Sequence, residues 1–250
     1  MNFGFVSGEG ADWEVVASGR VDTGAKNPEE AVEQLLDCLR ETLAAGDSEM
    51  PLPEGAVLSS VVPAVVPAVR RAVADVFGLE VLVVDRGTDT GLIFERVDTS
   101  TLGHDRLVDA SYAAAFLPLP VMTVDLGTAT TINVVGEDRV FLGGIICAGI
   151  GTGLAALHEK TAQLPALEAV KPEVLIGENT VQCMLSGAVS GTAAMIDGLA
   201  GRVEKELGRP VSLLITGGKA PLILPYLDHP CTYEPQLMLK GLAVIYARGM

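Results

Sequence analysis

Four short stretches carry residue types that could handle a phosphorylated or anionic compound. In VDLGTATT (124–131), Asp125 closes an apolar run, and Gly127, Thr128, Thr130 and Thr131 follow at once. Gly127 lets the backbone approach a ligand, and successive turn amides can form an anion-binding nest. Thr128 and Thr130 add hydroxyl donors, and Asp125 could hold a cation directly or through water. A polar hairpin turn with Asp125 satisfied by its own amides fits the same pattern. In LGHDRLVDA (102–110), Asp105 stands where a helix should begin, and Arg106 is beside it. Such an acid could orient and deprotonate a hydroxyl, while Arg106 holds an anion; an ordinary acid in a first helical turn reads the same way. GIGTG (149–153) resembles a dinucleotide fingerprint but follows an antiparallel meander rather than a βαβ unit. ITGG (215–218) ends a buried strand, where Gly217 and Gly218 could admit an adenine or ribose or could simply turn the chain.

Composition narrows the classes. The 250 residues are 49% hydrophobic and only 4% aromatic, so the core must be built from Val, Leu, Ile and Ala. A net charge of −15 argues against a nucleic-acid surface, which needs clustered Lys and Arg. Cys38, Cys147, Cys183 and Cys231 are far apart, which speaks against zinc. Cys147 and Cys183, in apolar surroundings, are expected to act as small core residues. His104, His158 and His229 have no ligand spacing. The start, MNFGFVSGEGADW, has neither a basic region nor a long apolar run. No uninterrupted apolar stretch is long enough for a bilayer. The expectation is a reduced, cytoplasmic chain with no membrane and no nucleic-acid partner.

The elements that must position these residues follow from periodicity. Strands are expected at 3–6 and 14–21, then a helix from Asn27-Pro28 with Val32, Leu35, Leu36, Leu39 and Leu43 on its apolar face. A strand at 56–63, a helix over 66–77 closed by Gly78, and a strand at 79–85 predict a parallel pair. A loop with one short strand, GLIFERV, leads to a helix from His104 to about Phe116. Leu117-Pro118-Leu119-Pro120 marks a boundary, giving domains 1–117 and 118–250. Strands at 121–125, 130–135 and 139–146 form an antiparallel meander. Helices over 152–163, 180–207 and 236–248 and a strand over 211–218 complete the chain. Two similar α/β halves suggest two actin-like (ribonuclease H-like) domains with mixed sheets and a nucleotide cleft between them.

Several stretches resemble the type III pantothenate kinase family: SSVVP (59–63), GHDR (103–106), DLGTATT (125–131), FLGGIICAGIG (141–151), ALHEKTAQLP (156–165), IGENT (176–180), MLSG (184–187) and ITGGKAP (215–221). They cover nearly the whole chain in the family's order, and ALHEKTAQLP is a specific match. The resemblance implies ATP-dependent phosphorylation of pantothenate, the first step of coenzyme A synthesis, by a homodimer using Mg²⁺ or another divalent ion and K⁺ or NH₄⁺. By position, Asp105 would be the general base. Gly103, His104, Asp105 and Arg106 would line the pantothenate site, joined by Thr180 from the partner-side segment. Asp125 would bind the monovalent cation and Thr128 would contact ATP, with Gly127, Gly217 and Gly218 as the accompanying ATP contacts.

The sequence departs from the family in four places. His104 stands where Ala is usual, Ala148-Gly149 replaces Pro-Gly, and an expected aromatic contact is replaced near Arg96. The family also opens with a strand and a DxGNT phosphate loop, whereas Met1-Asn2-Phe3-Gly4 aligns with the strand after that loop. The expectation is therefore that the first strand and loop are absent from these 250 residues, either because the true start lies upstream of Met1 or because catalysis is weakened or lost. The latter motivates an alternative: a kinase-like binding or regulatory protein that pairs with a complete paralogue. A kinase of the same fold acting on a sugar or acid is a third reading, which GHDR and ALHEKTAQLP disfavour.

Overall fold

The computed structural model describes residues 2–8, 12–20, 28–45, 52–60 and 62–249. Contacts group the chain into two units. Unit 1 comprises Met1–Leu92, Asp98–Ala115 and Gln236–Met250, and unit 2 comprises Ile93–Val97 and Phe116–Pro235. Division by chain position, 1–117 and 118–250, differs from this grouping in three places: the last helix packs with unit 1, residues 93–97 with unit 2, and the boundary falls before Phe116 rather than after residue 117. The first two are not visible locally, because both are docked by contacts between distant residues.

In unit 1, β1 (Asn2–Ser7) and β2 (Glu14–Arg20) pair antiparallel. Helix α1 (Pro28–Ala45) follows, then β3 (Ala56–Leu58), α2 (Val66–Phe77) and β4 (Val81–Val83), with β3 and β4 parallel as expected. Gly78 closes α2 at φ 68°, where a side chain would be strained. The next helix, α3 (His104–Phe116), spans the expected residues. Val32, Leu35 and Leu39 of α1 meet Val69, Ala72 and Val73 of α2 in one core. Asn27 and the side chain of Leu43, expected as cap and face residue, lie outside what is described. The strands expected over 56–63 and 79–85 shorten to three residues each, paired only with one another among the described residues. GLIFERV is not a strand; within it only Ile93 makes a bridge, to Val140.

In unit 2, β5 (Val121–Leu126), β6 (Ala129–Val135) and β7 (Phe141–Ala148) form the expected meander. Helices α4 (Ile150–Lys160) and α5 (Thr180–Leu207) lead to β8 (Ser212–Thr216), the short α6 (Ala220–Ile223) and β9 (Cys231–Tyr233). The strands make one five-stranded mixed sheet in the order β7-β6-β5-β8-β9, parallel across β5-β8-β9. Met122, Val124 and Leu126 of β5 face a core with Leu154 of α4 and Met184, Val189, Ala193 and Ile196 of α5. Helix α7 (Leu237–Arg248) ends the chain. This mixed sheet flanked by helices agrees with the expected α/β class.

By length and composition α5 could cross a membrane, contrary to the expectation that no stretch would be long enough. Its apolar side is spent on the unit 2 core, and Asp197, Arg202, Glu204, Lys205 and Glu206 charge its second half.

Candidate functional site

Asp105 stands in the first turn of α3 and is exposed. Its Oδ1 accepts a hydrogen bond from the Arg106 N–H at 2.9 Å. A Cβ on Gly103 would collide with that Oδ1. Glycine before the helix is thus what allows the carboxylate to fold back over the helix start, where the dipole favours an anion. Arg106 is half-buried; burial lowers its pKa and the Asp105 charge opposes the shift. His104, also half-buried, lies near Asp85, which follows β4. Asp85 Oδ1 accepts from the Gly87 N–H at 2.8 Å and the Thr88 hydroxyl at 3.1 Å. These bonds hold the Asp85 carboxyl below the usual aspartate range, with a smaller contribution from His104.

In unit 2 the DLGTATT turn lies between β5 and β6. Asp125 opposes Thr131 on β6 and Thr216 on β8. Gly217 continues β8 at φ 96°, and a Cβ there would strike the Leu126 N and the Asp125 Oδ1. The Lys219 N–H donates to the Leu126 carbonyl at 3.1 Å. The ITGG turn is therefore folded onto Asp125, while Gly218 is open, with no atom within 4 Å of a Cβ.

The Thr128 carbonyl accepts from the Gly149 N–H at 3.0 Å and from the Thr152 hydroxyl at 2.7 Å. A Cβ on Gly149 would run into the Gly127 and Thr128 carbonyls. GIGTG is thus a clamp on the preceding turn. Gly149 caps α4, so the helix starts at Ile150 rather than Thr152, and it ends at Lys160 where Thr161 turns extended. The positioning roles of Gly149 and Thr152 were not read from sequence; the only signal was glycine density beside the meander.

Two sequence expectations change. Thr130 is no donor to a turn ligand: it is fully buried, and its hydroxyl has no hydrogen-bond partner among the described residues. Strand alternation puts it on the same side of β6 as Ile132 and Val134, which face the core. Cys183 is exposed rather than in the core, its Sγ 3.3 Å from the Gly177 carbonyl, in the first turn of α5. Thr180 begins α5 and is exposed. The Asn179 side chain caps that helix by accepting from the Gln182 N–H at 3.0 Å, and Gln182 Oε1 accepts from the Glu178 N–H at 2.9 Å. The structure thus gathers Gly103 to Arg106 in one turn of unit 1, and Asp125, Gly127, Thr128 and Gly217 around adjoining strand ends of unit 2.

The family described as type III pantothenate kinase matches residues 1–202. The type III pantothenate kinase of Acidiphilium cryptum is 33% identical over 250 residues, spanning 99% of this chain and 91% of that one. That of Rhodococcus jostii is 34% identical over 251 residues, spanning 98% and 90%. Among solved structures, a Baf family protein from Campylobacter jejuni superposes with a TM-score of 0.54 at 18% identity, over 87% of this chain and 88% of that one, which marks a shared fold. On this match across most of its length, the chain belongs to the type III pantothenate kinase family.

Proposed function

We propose that the chain transfers the γ-phosphoryl group of ATP to the primary hydroxyl of pantothenate, giving 4′-phosphopantothenate for coenzyme A synthesis. The observation that carries the proposal is Asp105: in a member of this family, a carboxylate held exposed on the first turn of α3 beside a half-buried Arg106. Asp105 accepts the hydroxyl proton as the oxygen attacks the γ-phosphorus, and the bond to the departing ADP breaks. Arg106 balances substrate anion or developing phosphoryl charge. Gly103 and His104 complete this chain's part of the pantothenate site, and Thr180 is supplied by the partner-side segment of a second copy.

Gly127 and Thr128 take the ATP phosphates, and Gly217 and Gly218 let the nucleoside approach the backbone. The turns fit such a ligand, because side chains at Gly217 and Gly149 would fill space that the folded turns need. Asp125 suits K⁺ or NH₄⁺, which supplies positive charge beside the phosphates. Among the described residues no cluster of three His, Cys, Asp or Glu is poised for a divalent ion. Mg²⁺ would arrive on ATP, since it commonly keeps substrate phosphates and only one or two carboxylates as ligands.

The reading places the enzyme in the cytoplasm as a homodimer. Leu175 and Ile176 are 73% and 86% exposed just ahead of Thr180, an apolar strip that a second copy would cover. A coupled ADP-release assay with ATP, Mg²⁺, K⁺ and pantothenate tests the reaction. ADP release should depend on pantothenate, and Asp105→Asn should lower it at least about 100-fold with the fold intact. A wild-type rate in that variant would remove Asp105 as the base. The second reading is a regulatory chain paired with a paralogue: among the described residues the strands of unit 1 form two separate pairs. Absence of any pantothenate-dependent release would support it.

A further inference from the structure

The loop ahead of α5 is exposed, yet its backbone is tied to that helix. Leu175, Ile176, Glu178, Asn179 and Thr180 all face solvent. The hydroxyl of buried Ser186, in the second turn of α5, donates to the Leu175 carbonyl at 2.5 Å. The Cys183 thiol donates to the Gly177 carbonyl at 3.3 Å. Gly177 itself lies directly on the helix start, because a Cβ there would run into the Gln182 and Cys183 backbone.

Gln182 closes the end of the loop nearest Thr180. It is the third residue of α5, counting from Thr180. Its N–H donates to the Asn179 side chain at 3.0 Å, and its Oε1 accepts from the Glu178 N–H at 2.9 Å. The two bonds form a reciprocal cap, in which the third helical side chain reaches back over the helix start. They grip the backbone at Glu178 and at Gln182, on either side of Thr180. A threonine hydroxyl is separated from the backbone by one stiff torsion. Where the Thr180 hydroxyl stands is therefore decided by the backbone that the cap holds.

We infer that Gln182 is a positioning residue for pantothenate binding: its side chain holds the backbone around Thr180 so that the threonine hydroxyl stands where the substrate needs it. The inference rests on the reading that Thr180 reaches pantothenate from a second copy. A frayed helix start would leave only a fraction of molecules with Thr180 in place, and the apparent affinity falls by that fraction. Asp105 and the ATP turns are built by other elements, so turnover of bound substrate is unaffected and the loss falls on KM.

The test compares Gln182→Ala, which loses the acceptor, with Gln182→Glu, which keeps one and suits a helix N-terminus. In Gln182→Ala the Glu178 amide should exchange its hydrogen at least about tenfold faster. The KM for pantothenate should rise about threefold to tenfold, with kcat and the KM for ATP unchanged. Gln182→Glu should bring both the exchange rate and the KM back to within about twofold of wild type. Sedimentation should show the same self-association in wild type and both variants. Unchanged exchange at Glu178 in Gln182→Ala would overturn the inference, as would faster exchange with an unchanged pantothenate KM. So would a KM rise that comes with loss of self-association, or one matched by the KM for ATP, since either would mark a merely structural effect. The underlying reading fails separately: a wild-type protein that stays monomeric, or that releases no ADP with pantothenate, overturns both.

Discussion

Replacing Gly217 by Ala tests whether the ITGG turn is built by close approach to Asp125. Gly217 sits at φ 96°, where an L side chain costs about 1–3 kcal/mol. The added Cβ would also meet the Leu126 N and the Asp125 Oδ1. Neither yields easily: Leu126 pairs with Thr130 of β6, its carbonyl accepts from the Lys219 N–H, and Asp125 is paired with Thr216. Strain and collision together give a loss of about 2–4 kcal/mol. For a chain of this size that lowers the melting temperature by at least about 5 °C. Gly218→Ala is the internal control, because its Cβ meets nothing within 4 Å and its φ is not positive; its stability should stay within about 0.5 kcal/mol. Thermal and urea unfolding read the stability. Steady-state kinetics should show a raised KM for ATP and weaker K⁺ activation in Gly217→Ala, with the KM for pantothenate little changed. Indistinguishable stability in the two variants would refute the reasoning.

Other outcomes follow from single observations. Thr130→Val removes a buried hydroxyl that has no partner and should raise stability by about 1 kcal/mol in urea unfolding; a loss would mean that the hydroxyl is satisfied in solution. Asp138 and Arg139, at φ 54° and 62°, form the β6–β7 turn in the left-handed region. Arg139→Gly should therefore gain about 0.5–1 kcal/mol, and a lower melting temperature would contradict this. The Asp85 and Asp89 carboxyls are held low, first by backbone hydrogen bonds from Gly87 and Gly91. A depressed folded pKa gives stability that is present above the unfolded value and lost as pH falls through the folded one. Asp85→Asn should therefore lower stability near neutrality, where the ionised carboxylate contributes it, and flatten the profile below about pH 4, where the two proteins converge; an unaltered acid limb would show that the Asp85 turn does not form.

Much of the fold was legible because its determinants are local. Apolar periodicity and terminal glycines placed α2, α3 and α5 to the residue, with Gly78 and Gly208 in the left-handed region at two of their ends. Short connections identified the β5-β6-β7 meander. The turns at GHDR, DLGTATT and ITGG were legible too, since glycine, threonine and acid recur there at positions the chain must turn. Thr130 was misread because a motif read as a string hides strand alternation, which sends every second residue of TATT to the opposite face.

The sequence by itself determined the α/β class, the helices, the meander and the family. Each rests on neighbours along the chain or on whole-chain likeness. Only the tertiary structure decided that Gly217 is folded onto Asp125, that Gly149 and Thr152 clamp the Thr128 carbonyl, that α7 packs with unit 1 and that β3 and β4 are three residues long. These depend on contacts between residues far apart in sequence, such as Asp125 with Gly217, and on how many neighbours a strand finds. A local pattern of residue types carries no information on either.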